Sequence, residues 1–183
     1  MSTFLRLLPP LFILALVGIW LFSRSLPEDM EVERAVEISA PASRVFTHIG
    51  SIRGWKAWFT GPDADVIFDG PESGPGGHFE MKIEGRGLHL ELTETSSPTM
   101  VAYETWEAER TDPIRGVIQL DRLEDGGVQV VMKETASISS TIGRWPAYLL
   151  GDYMIGGILE RQLGNLKSLV EQGRTHADRE PGG

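Results

Sequence analysis

The chain has 183 residues, 41% of them apolar, and carries 17 basic against 26 acidic side chains for a formal net charge of −9. That is enough apolar material for one domain with additions, and too much for a disordered chain. The acidic balance excludes a binder of phosphate backbones, so no nucleic-acid partner is expected. There is no cysteine, which removes disulfides, zinc ribbons and thiol catalysis from consideration. The histidines His48, His78, His89 and His176 are scattered, with no two of them three or four residues apart. No metal site and no cofactor is therefore expected.

An apolar run from Leu7 to Phe22 follows Arg6. At 1.5 Å per residue it reaches ~24 Å, short of a ~30 Å hydrocarbon core. Flanking Phe4, Leu5 and Ser23 can extend it, with Arg6 and Arg24 reaching the two interfaces. Pro9 and Pro10 fall in its first turn, where missing N–H groups cost least. The cleavage-like tripeptide Ser23-Arg24-Ser25 is a poor signal-peptidase site. Residues 1–25 are read as an uncleaved transmembrane anchor, with a cleaved signal sequence as the alternative. The expected location is the cell membrane, single-pass, with the remaining domain on the extracytoplasmic side.

Residues 26–30 form a linker. Glu31–Ala40 then alternates Val32, Arg34, Val36 and Ile38 against three glutamates, which is a strand with one anomalous residue, Arg34. Pro41 to Gly50 reads as a short helix with Val45, Phe46 and Ile49 on one side, and Ile52–Trp58 as a second. Strands are expected over Asp65–Phe68, His78–Glu84, Leu88–Thr95, Met100–Ala108, Ile114–Leu123 and Val128–Ala136. Between them lie a Gly-Pro loop at 70–77 and turns at Gly85–Gly87, Ser96–Pro98 and Glu124–Gly127. Short connections make neighbouring strands antiparallel. A long helix opening at Pro146 carries Ile155, Ile158, Leu159, Leu163, Leu166, Leu169 and Val170 at helical spacing and stops at Gly173. Residues 173–183 are read as a disordered polar tail.

Several stretches together resemble the START-like superfamily in its polyketide cyclase/dehydrase branch, the SRPBCC grouping. They are VEISAPASRVFTHIGSIRGWKAW, GPGGHFEM, ELTETSSPTMVAYETW and LERQLGNLKSLVEQ, in that order over most of the soluble part. The resemblance implies an α+β helix-grip fold over 31–172, an antiparallel sheet wrapped around a long C-terminal helix. It also implies a hydrophobic cavity between sheet and helix that takes lipids, polyketides or other apolar molecules. No single catalytic constellation comes with it.

The expected partner is thus an apolar small molecule or a lipid, with the membrane reached through the N-terminal helix and the protein a monomer. If a pocket exists, its expected walls are Trp55, Trp58, Phe79, Met81 and Leu90, with Trp106 from the next strand and Tyr148, Met154 and Ile155 from the covering helix. Aromatics supply large area at small entropy cost, and methionine adapts to irregular shapes. Trp55 and Trp58 share a helical face, and a pair so spaced reads as core more readily than as pocket. Gly151, Gly156 and Gly157 are expected to leave room beneath the helix. Glu104 and Glu134 are the weak catalytic candidates, since both can face inward about two strands apart, roughly 10 Å. A buried, unpaired carboxyl would act as acid or base; pairing with an arginine such as Arg115 or Arg144 is the competing reading. Enzyme or carrier stays open at this point. The alternatives to simple binding are a cyclase- or hydratase-type enzyme and a pocketless regulatory interaction module.

Overall fold

The computed structural model describes residues 3–60, 64–83, 86–107 and 112–177. Helix α1 (Thr3–Ser25) leads into strand β1 (Asp29–Ile38), helix α2 (Ala42–Ile49) and a single turn, α3 (Ile52–Trp55), which runs on as a π-helical turn over Lys56–Thr60. Six strands follow: β2 (Val66–Asp69), β3 (His78–Ile83), β4 (Arg86–Ser96), β5 (Met100–Glu107), β6 (Ile114–Arg122) and β7 (Val128–Ser137). Helix α4 (Thr141–Ala177) is the last described element. The expected turn at Gly85 and the tail beyond Ala177 lie outside the described residues.

All seven strands join one antiparallel sheet in the order β1-β7-β6-β5-β4-β3-β2. Strands β2 to β7 form a meander, because each connection is short enough only for a neighbour. The turn between β6 and β7 uses Gly126 at φ 84°, a conformation that costs glycine nothing. Strand β1 pairs with β7 from Asp29↔Ser137 to Ile38↔Val128, so the first strand completes the far edge.

The inner face follows from the period-two alternation. Val32 and Ile38 of β1, Phe79 and Met81 of β3, Leu90 and Leu92 of β4, Val101 and Tyr103 of β5, Ile118 and Leu120 of β6, and Val128, Val130 and Met132 of β7 are all buried on it. Helix α4 covers this face with Leu159, Leu163, Leu166 and Val170, an i, i+4, i+7 stripe. It runs alongside β1: Gly151 sits on Met30, Gly156 on Arg34, and near the other end Lys167 donates to the Glu37 carbonyl at 2.8 Å.

Several boundaries differ from the sequence expectation: β1 begins at Asp29 rather than Glu31, and β4 at Arg86 rather than Leu88. Helix α4 starts at Thr141, so Pro146 lies inside it and leaves the Ile142 carbonyl without an intrahelical donor. It also passes through Gly173 to Ala177. The expected transmembrane span is a further correction. Helix α1 forms, but among the described residues no helix is long and apolar enough to cross a membrane. The apolar run is shorter than a hydrocarbon core.

Candidate functional site

The stretch from Trp55 to Phe59 turns into the interior. Trp55 and Trp58 are fully buried, with ring centroids 4.7 Å apart. Trp55 stands edge-on to Tyr103 at 4.8 Å, and Phe59 reaches Phe79 at 6.2 Å. Both indole nitrogens are satisfied by backbone, Trp55 Nε1 donating to the Ile49 carbonyl at 2.7 Å and Trp58 Nε1 to that of His48 at 3.3 Å. Asn165 of α4 donates to the Trp58 carbonyl at 3.2 Å, tying the π-helical turn to the covering helix. Trp55, Trp58, Phe79, Met81 and Leu90 therefore meet in one core cluster, with Ile155 at its margin.

The other expected wall residues are elsewhere. Trp106 lies on the outer face of the sheet, because Tyr103 and Val101 point inward and the alternation sends Trp106 the other way. There it stacks on His89 at 5.5 Å and 7°, and His89 stacks on His78 at 5.4 Å. The same alternation turns Glu104 outward, where it meets Arg115 at 3.5 Å across the β5–β6 register. Tyr148 and Met154 are exposed on α4, at 61% and 64%. Gly157 faces open space, while a Cβ at Gly156 would overlap the Arg34 guanidinium. That glycine makes room for an arginine and leaves no cavity there.

Glu134 does face inward, and its partner is Tyr103. The two residues flank Gly116 in the sheet: Tyr103↔Gly116 on one side, Gly116↔Glu134 on the other. With no side chain at Gly116, the phenol lies flat across β6, and its hydroxyl donates to Glu134 Oε1 at 2.7 Å. Burial pushes the Glu134 carboxyl above its ordinary value, and the hydrogen bond from Tyr103 works against that shift. Burial first and the neighbouring carboxylate second hold the Tyr103 phenol well above its ordinary range. Gln162 of α4 is buried too, and its Oε1 has no hydrogen-bond partner among the described residues.

Arg34, the anomaly in the first strand, fastens α4. Its Nη1 and Nη2 each donate to an Asp152 carboxylate oxygen at 3.0 Å, and its Nε donates to Glu160 at 2.8 Å. The arginine lowers the Asp152 carboxyl below its ordinary value. Beyond this fork, toward the start of α4, the helix and sheet separate. A cleft of about 340 Å³ opens there, lined by Pro27, Met30, Ile138, Ala147 and Tyr148 together with Asp29, Glu31 and Arg144. Arg144 is held there by Glu28 at 2.7 Å and by the Ile138 carbonyl at 3.2 Å. The sequence reading found Tyr148 but not Met30 or Ile138, whose only signal is their position at strand ends.

The family model described as polyketide cyclase/dehydrase and lipid transport matches residues 29–171. The chain belongs to that family. Solved structures agree on the fold. A Staphylococcus aureus protein of unknown function aligns with TM-score 0.67 at 14% identity, covering 81% of this chain and 97% of its own. A Thalictrum norcoclaurine synthase point mutant, in complex with a transition-state analogue, aligns with TM-score 0.64 at 11% identity, covering 80% and 96%. A Thermobifida fusca structure aligns with TM-score 0.58 at 20% identity, covering 78% and 93%. No curated protein matches the sequence. The family's helix-grip architecture is the one described above, with the seven-stranded sheet closed by α4.

Proposed function

We propose that this chain binds an apolar small molecule or lipid between the sheet and the first half of α4, while attached to a membrane surface through α1. The cleft beside Met30 and Tyr148 carries the reading. Its volume, about 340 Å³, falls in the ~300–1,000 Å³ range of small-molecule sites. Its lining combines apolar groups with the charged Asp29, Glu31 and Arg144, a mixture that suits an amphiphile. Helix α1 ends at Ser25, two residues before the cleft's Pro27, and is apolar and exposed from Leu11 to Phe22. A molecule leaving a lipid phase would meet this cleft first. The lipid-transport description of the family supports the same class of ligand.

Native mass spectrometry of the full chain, purified from cells in mild detergent, tests the proposal. A co-purifying apolar molecule is expected, and Ala147→Trp should displace it by filling the cleft without lowering the melting temperature. A ligand-free chain that also shows no thermal shift with any member of a lipid panel would end this reading.

A second reading, acid–base chemistry of the cyclase or hydratase type, is favoured by one observation: the inward Glu134 carboxyl, raised by burial and bonded to Tyr103. The synthase among the structural neighbours is an enzyme on this fold. If Glu134 is catalytic, Glu134→Gln removes turnover of a bound ligand and leaves its binding intact.

A further inference from the structure

On α4 the solvent face changes character within one helix. From Ile142 to Ile158 it presents apolar groups: Ile142, Leu149, Leu150, Tyr153, Met154 and Ile158 are all at least 48% exposed. From Glu160 onward the exposed positions among the described side chains are Glu160, Arg161, Gly164, Asn165, Ser168 and Gln172. The only charged residues between 142 and 158 are Arg144 and Asp152. Each is engaged by the body of the domain, Arg144 by Glu28 and Asp152 by Arg34. An exposed apolar surface of this extent, about 25 Å along the helix axis, is unusual for a monomeric domain in water.

Helix α1 packs against α4 and has the same character, with Leu11, Phe12, Ile13 and Leu14 all more than 60% exposed. The two helices thus form one continuous apolar surface at the end of the domain that holds the cleft. We propose that the first half of α4 is a second membrane-contact element, lying in the headgroup–acyl boundary of a bilayer alongside α1. Trp145 and Tyr153 are amphipathic rings of the kind that settle at that depth. The acidic chain, at −9, matches zwitterionic lipid better than anionic lipid. A bilayer also explains the abrupt change at Glu160, since a flat boundary cuts a tilted helix at one level. Tyr148 belongs both to this stretch and to the cleft wall, so the contact would set the cleft's mouth against the lipid. The proposal extends the reading of α1 as the membrane attachment, and its test separates the two.

The absence of native cysteine allows single-cysteine variants of the full chain to carry one fluorophore each, at Leu14, Leu149, Tyr153 or Ser168. The labelled chains are reconstituted with vesicles of phosphatidylcholine brominated in the acyl chains. Labels at 149 and 153 should lose most of their emission to the bromines, and the label at 168 should keep its own. Quenching at 14 with none at 149 or 153 overturns the α4 contact and leaves the α1 attachment standing. Quenching at 149 and 153 with none at 14 does the reverse. No quenching at any position overturns both. A spin label at 153 that couples strongly to its copy in a second chain would assign the surface to self-association, and the proposal fails.

Discussion

Replacing Gly116 by alanine tests the crossing of β6 by Tyr103. The new Cβ would occupy the space of the Tyr103 Cζ, Cε1 and hydroxyl oxygen. The ring cannot move aside freely, because Trp55 stands against it at 4.8 Å and Phe59 at 6.4 Å. Overpacking of this kind costs about 1–3 kcal/mol, and losing the hydrogen bond to Glu134 adds about 1–2 kcal/mol. Gly116→Ala should therefore destabilise by roughly 2–5 kcal/mol. In a Tyr103→Leu background the side chain ends short of the overlapping ring atoms. There the same change should cost nothing, or gain about 0.5–1 kcal/mol from the lower backbone entropy of alanine. Denaturant unfolding of the four chains, with equal m-values, gives the coupling energy directly. A Gly116→Ala cost that agrees in the two backgrounds to within about 0.5 kcal/mol would refute the crossing.

Trp55→Ala should lower stability by about 3–5 kcal/mol, since it empties a fully buried site and strips the Ile49 carbonyl of its donor; a melting point close to the parent's would show that the indole is not a core element. Gly156→Leu should displace Arg34 from Asp152 and Glu160 and loosen α4, whereas Gly157→Leu should stay within ~0.5 kcal/mol of the parent because its Cβ meets open space; hydrogen exchange along α4 reads the difference. The raised Glu134 carboxyl binds its proton more tightly in the folded chain than in the unfolded one. Stability should accordingly decline as pH rises from the ordinary carboxylate value of 4.5 through the raised one, and Glu134→Gln should remove that slope from the pH–stability curve. Tyr103→Phe should move the Glu134 titration, followed by carboxyl carbon resonance, further upward, because the lost hydrogen bond favoured the charged form.

The sheet and its cover were readable because alternation and helical spacing are local signals. Leu90 and Leu92 face inward as β4's pattern requires, and Leu159, Leu163 and Leu166 line the covering face as theirs does. Strand β5 was ambiguous, for it carries an aromatic on each side, Tyr103 and Trp106. What decides its face is Gly116, opposite on β6, together with a hydrogen-bond acceptor on β7. Neither relation exists until the register is set. Arg34 stood out within an apolar alternation, yet its partners Asp152 and Glu160 lie more than a hundred residues away, beyond any local pattern. The cleft was illegible for the same reason: Pro27, Met30, Ile138 and Ala147 meet only when β1 docks on β7 beneath α4.

The pairing of β1 with β7 also bears on how the chain assembles. Strands β2 to β7 close through short hairpins, but β1 must wait for a strand ~100 residues further on, a loop whose closure entropy falls due before any contact repays it. During synthesis the first strand therefore leaves the ribosome long before its sheet neighbour β7 exists. The inner face then stays uncovered until α4, the last described element, has emerged. Until that moment the apolar α1 and the bare sheet are exposed together, which makes the nascent chain most prone to aggregate at this stage.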